Sequence, residues 1–159
     1  MPYMDLIELT TPQVISKIAL PVLVAIGAVY GLITLIVGGL ILKPLQRRKQ
    51  KKLGVAPTPM PYRKWNYLAC ALLLLFLVNL TAIIWRIMEF HPGSSYRIHL
   101  FIAIGIVVGM TLLILLLLRG IRDPEQPRNE KLKYIATIFF LIAVITATFV
   151  YELYQFWAI

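Results

Sequence analysis

The chain has 159 residues, of which 60% are apolar and 14% charged, and it carries a net charge of +9. That composition leaves no polar stretch long enough for a separate soluble domain and describes a single membrane domain, 1–159. The positive charge sits in short segments between apolar runs, without the recognition elements of a nucleic-acid-binding protein, so no nucleic-acid partner is assigned.

Residues 1–11 hold Asp5 and Glu8 and no basic lead, unlike a cleavable signal, so the first apolar run is expected to act as its own insertion signal. Thr10, Thr11 and Pro12 have the order of a helix start. The helix predicted over 14–42 would be about 43 Å long against a hydrocarbon core of about 30 Å, which implies tilt, a kink or an extension beyond the membrane. Pro21 is the predicted kink. Gly27 and Gly31, followed by Thr34 and Gly38 at the same four-residue spacing, form a close-packing face of the kind that joins helices in lipid.

The segment 43–66 combines Lys43, Arg47, Arg48, Lys49, Lys51, Lys52, Arg63 and Lys64 with Pro44, Pro57, Pro59 and Pro61, and is predicted to be an extended, irregular loop. Arg47, Arg48, Lys49, Lys51 and Lys52 are its candidate contacts for anionic lipid, at about 1 kcal/mol per basic residue near a charged surface, or for a partner chain. A second helix is predicted over 67–88, with Tyr62, Trp65 and Tyr67 at one interface and Trp85 at the other. Its Cys70 reads as a small buried apolar side chain; the lack of a second cysteine excludes an intrachain disulfide and chemistry that needs a thiol pair.

A short turn leads to a third helix over 99–119, which carries a second glycine pair, Gly105 and Gly109. The proline-punctuated segment 123–128 is a connector to a fourth helix over 133–157, where Tyr151, Tyr154 and Trp157 form an aromatic belt. The whole is expected to be an all-α integral membrane four-helix bundle, since helices satisfy their own backbone and no barrel-type alternation is present. Thirteen basic residues lie in the two longer connections against three elsewhere, Lys17, Arg86 and Arg97. The positive-inside rule then puts both termini on the external side.

Polar residues in such helices are the candidates for chemistry. Asn79, Arg86 and Glu89 share one face of the second helix, and Glu152 lies between Thr148 and Gln155 on the fourth. Arg86 paired with Glu152 above Asn79 would make a polar pocket for a quinone head or a partner chain; the plainer alternative is an interfacial ion pair with snorkelling side chains. His91 and His99 are the weak candidates for cofactor binding, but both belong to one membrane surface and the other helices hold no histidine. Glu89, His91 and His99 match no strong metal spacing, and no Ser–His–Asp set, HExxH or phosphate loop is present. No catalytic residue, metal or cofactor is therefore assigned.

From Tyr62 onward the order is a basic-aromatic lead (Tyr62-Arg63-Lys64-Trp65), a helix, a short turn, a helix ending Leu118-Arg119-Gly120, a charged connection and a last helix rich in threonine and tyrosine. In that layout, about 100 residues long, the chain resembles the small four-helix membrane proteins associated with maturation of haem–copper oxidases. The resemblance implies a haem- or metal-related role through histidines at helix ends. His99 and His91 stand at such places, whereas Tyr62, Asn129 and Lys131 stand where others would be expected.

The expected function is a non-catalytic accessory subunit of a larger energy-transducing complex, respiratory or photosynthetic, in a bacterial plasma membrane or an internal photosynthetic membrane. Its partners would be other integral-membrane subunits and anionic lipid. Two alternatives stay open: an oxidase assembly factor that binds haem or metal transiently, and a small homo-oligomeric membrane enzyme or transporter.

Overall fold

The computed structural model describes residues 19–54, 60–89 and 97–150. Within them the chain forms α1 (Leu20–Ile33), a π-helical continuation (Thr34–Leu42), α2 (Lys43–Leu53), α3 (Arg63–Met88), α4 (Arg97–Arg122) and α5 (Arg128–Val150). Because α1, the π segment and α2 run on without a break, the architecture is four long helices. Each is long and apolar enough to cross a membrane: Leu20–Gln50 with 31 residues, Arg63–Arg86 with 24, Arg97–Arg122 with 26 and Arg128–Val150 with 23.

The helices close into a ring in which α1 packs on α3 and α5, and α4 on α3 and α5, so that α1 and α4 take opposite corners. The buried residues of α4 (Leu100, Ala103, Ile106, Met110, Leu113, Leu117 and Gly120) recur at three- and four-residue steps, the period of one helix face. They meet Leu73 and Phe76 of α3 and Tyr134, Leu141 and Val144 of α5 in a continuous apolar core. Large apolar side chains also cover the outside, including Leu40, Val78, Leu112 and Phe139, an arrangement that suits an apolar surrounding better than water.

The first helix departs from the expected bounds. Lys43–Leu53 is helical and not an irregular loop; it ends at Gly54, whose φ of 65° is left-handed and suits a residue without Cβ. Two local causes account for this. Lys, Arg, Gln and Leu all favour helix, and Pro44 lies in the first turn of α2. A proline ring inside a continuous helix collides with the carbonyl one turn back, and the wider π turn ahead of Pro44 relieves that collision, with Lys43 donating five residues back to the carbonyl of Gly38. Pro21 sits near the start of α1, two residues after the π-helical Ala19, and the kink predicted there involves residues outside the described ones.

Candidate functional site

At one end the bundle gathers most of its charge: α2, the start of α3, the end of α4 with Arg119 and Arg122, and the start of α5. Here a cavity of about 220 Å³ lies between the π segment, α3 and α5. Its polar wall is Tyr30, Thr34, Arg63, Asn66, Tyr67, Glu130 and Lys133, and its apolar wall is Ile33, Val37 and Leu42.

The deepest part of that wall is a hydrogen-bonded knot among three helices. Thr137 on α5 donates to Oδ1 of Asn66 on α3 at 2.7 Å, and Tyr30 on α1 donates to the carbonyl of Lys133 at 3.1 Å or to Oγ1 of Thr137 at 3.2 Å. Thr137 also lies 2.9 Å from the Lys133 carbonyl one turn back; having a single proton, it can serve only one acceptor at a time, and the contact to Asn66 is the shorter. Asn66 and Thr137 are both buried, and the Asn66 carbonyl oxygen needs Thr137 to avoid being a stranded acceptor.

Nearer the mouth, Arg63 donates from Nε to the hydroxyl of Tyr67 at 3.0 Å and from a terminal nitrogen to Oε1 of Gln46 on α2 at 3.1 Å. The guanidinium carbon lies 5.7 Å from the centre of the Tyr67 ring, so two residues one turn apart on α3 hold each other. Glu130, mostly buried, takes Lys133 at 2.6 Å. Gly38 belongs to this region: a Cβ built on it would lie 3.1 Å from the Tyr67 hydroxyl. Glycine at 38 is what lets Tyr67 reach the π segment.

Around the cavity, Gly120 of α4 receives the Tyr62 ring, whose Cγ would be 2.8 Å from an added Cβ. Tyr134 is fully buried, and its hydroxyl has no hydrogen-bond partner among the described residues. Sequence reasoning assigned none of this to a site. Thr137 and Tyr30 each appear as a lone polar residue in an apolar run, and Asn66 and Tyr134 sit beside the basic residues where their helices begin; only the Glu130–Lys133 spacing was a local signal.

The opposite end holds a different pair. Asn79 of α3 donates from Nδ2 to the backbone carbonyl of His99 at 2.8 Å, and its Oδ1 lies 3.0 Å from Nδ1 of the same histidine. The first contact fixes which way the amide faces, and the second then requires a proton on Nδ1. Asn79 thus binds His99, and Arg86, on the same helix, is exposed beside Trp85 in a shallow groove that His99 also lines. Glu152 and His91 lie outside the described residues, and Glu89 is exposed just past the end of α3. Among the described residues no group of three or more His, Cys, Asp or Glu is placed to hold a metal, and His99 offers one imidazole.

The two glycine pairs differ. On α1, a Cβ at Gly27 would meet Cδ1 of Phe140 at 2.9 Å, and one at Gly31 would meet the backbone oxygen of Cys70 at 3.0 Å, so this face packs against α5 and α3. On α4, Gly109 faces Leu72 at 3.2 Å, while no described residue lies within 4 Å of a Cβ on Gly105. The pairs therefore do not mate with one another. Cys70 is fully buried at the α1–α3 contact. On α2, Arg48, Lys49 and Lys52 are exposed, and Arg47 and Lys51 lie on the same helix.

No protein-family model, characterised protein or solved structure matches this chain.

Proposed function

We propose that this chain is a multi-pass integral membrane protein, with both termini on the external side, that serves as a non-catalytic accessory subunit of a larger energy-transducing membrane complex, respiratory or photosynthetic. Four helices of 23 to 31 residues, apolar on their outward faces, support the insertion. The concentration of lysine and arginine at one end supports the orientation. The layout shared with oxidase-maturation proteins supports an energy-transducing setting.

The observation that carries the subunit reading is Gly105. It lies on an exposed stripe of α4 with Phe101, Val108, Leu112 and Leu115, and open space surrounds its missing side chain. A glycine there costs helix stability and meets no packing partner among the described residues, whereas a transmembrane helix of another subunit would use the notch to approach closely. The partners are other integral-membrane subunits on this stripe and anionic lipid at the basic end; no nucleic-acid partner and no resident cofactor are part of the reading.

The test is extraction of the tagged protein from its native membrane in mild detergent, with mass spectrometry of every chain recovered in fixed ratio. Stoichiometric electron-transfer subunits that disappear in Gly105→Leu support the reading. A chain recovered alone, or as a monodisperse homo-oligomer, overturns it, and a Soret band in that isolated protein would move the reading to haem capture through His99.

A further inference from the structure

We propose that the cavity at the basic end is a binding site for one monoanionic phospholipid, with its phosphodiester held by Arg63, Tyr67 and Asn66 and an acyl chain resting on Ile33, Val37 and Leu42. The inference rests on the helices spanning a bilayer and is independent of membership in a complex.

The donors come first. Asn66 is 2% exposed and lines the cavity; its Oδ1 is taken by Thr137, and its amide N–H groups donate to no described residue. The Tyr67 hydroxyl accepts from Arg63 and keeps its own proton to give. Arg63 spends Nε and one terminal nitrogen on Tyr67, Gln46 and the Met60 sulfur, all neutral, so its charge is not cancelled by its hydrogen-bond partners. The remaining charged groups of the wall, Glu130 and Lys133, bind each other. The cavity thus carries one net positive charge and a surplus of donors, which suits an acceptor-rich group of single negative charge.

The shape of the wall selects a lipid over a free anion. Opposite the donors stand Ile33, Val37 and Leu42, each 40% exposed or more, so the cavity opens sideways along an apolar strip. At about 220 Å³ it is far larger than the roughly 10–15 Å³ that one water molecule needs. Trp65 and Tyr67 mark this level as an interface, where a phosphate group of the bilayer lies. A zwitterionic lipid would bring an ammonium for which the wall has no free carboxylate, because Glu130 is already paired.

The experiment is native mass spectrometry of the full chain, purified in mild detergent and titrated with phosphatidylglycerol or phosphatidylcholine, with inorganic phosphate as competitor. The wild type is expected to retain one phosphatidylglycerol that millimolar phosphate does not displace. Arg63→Gln is expected to lower retention by about tenfold and Tyr67→Phe by a few-fold. The variant Arg119→Gln/Arg122→Gln, at the same end of the bundle but outside the cavity wall, is expected to retain lipid like the wild type. Circular dichroism and gel filtration establish that each variant is folded. Should Arg63→Gln not fold, Tyr67→Phe, which removes a single oxygen, carries the test. Equal retention of phosphatidylcholine overturns the proposal, as does loss confined to the Arg119→Gln/Arg122→Gln variant. Displacement by inorganic phosphate also overturns it and reassigns the cavity to a free anion.

Discussion

Thr137 on α5 donates its hydroxyl proton to Oδ1 of Asn66 on α3 across 2.7 Å, joining two helices at positions 71 apart in sequence. Both side chains are buried; removal of Thr137 strands the Asn66 carbonyl, whereas removal of Asn66 sends the Thr137 proton to the Lys133 carbonyl. Hydrogen bonds between membrane helices average about 0.6 kcal/mol, because the separated helices find other partners. A double-mutant cycle of Asn66→Leu and Thr137→Val is therefore expected to return a coupling energy of about 0.5–1.5 kcal/mol in detergent unfolding. Strictly additive single losses would mean that the two side chains do not depend on each other.

The glycines give a prediction that spacing alone does not. At Gly31 the obstacle to a methyl group is the backbone oxygen of Cys70, which no rotamer change moves, so Gly31→Ala is expected to destabilise the bundle by about 1–3 kcal/mol. At Gly105 nothing stands in the way, and Gly105→Ala is expected to be neutral or to stabilise the isolated chain by up to about 1 kcal/mol through helix propensity. Thermal unfolding of the two variants side by side checks both signs at once.

These two glycine pairs also mark how much of the molecule is readable from sequence. Four apolar runs of sufficient length specify four helices, and the basic residues identify one end, because length and charge are local properties. Which face of a helix is filled is not local. Gly27/Gly31 and Gly105/Gly109 have the same spacing in similarly apolar runs, yet one pair is covered by Phe140 and Cys70 and the other has open space at Gly105. In an apolar surrounding, inward and outward faces are both apolar, and the 3.6-residue period that reveals a core in a soluble helix is blurred. Asn66, Tyr30 and Thr137 escaped notice for the same reason: each is a single polar residue, and only packing brings them together. Pro44 misled in the other direction, since a proline counts as a breaker unless the turn ahead of it widens, as the π segment does here.

At the opposite end, Asn79 serves His99 twice, through the backbone carbonyl and through Nδ1. Asn79→Leu is expected to cost about 1–3 kcal/mol, because it leaves the part-buried ring N–H of His99 without its acceptor and takes one donor from the His99 carbonyl. His99→Phe loses the ring contact only, since the contact to its backbone carbonyl survives, and is expected to cost less than Asn79→Leu. Equal losses in chemical denaturation would show that the backbone contact contributes nothing.

The helical arm offers the most direct test of orientation. Lys49 is exposed on α2, beyond the cavity, and Glu89 is exposed just past the far end of α3. With Cys70 replaced by alanine, a buried change of small volume, single cysteines at Lys49→Cys and Glu89→Cys report opposite ends of the bundle. A membrane-impermeant maleimide added to intact cells is expected to label Glu89→Cys and to leave Lys49→Cys unmodified until the membrane is opened, as the excess of lysine and arginine at the α2 end requires. Labelling of Lys49→Cys from outside would reverse the orientation and move the phospholipid cavity to the outer leaflet. Labelling of both from outside would mean that the four helices do not cross the membrane as proposed.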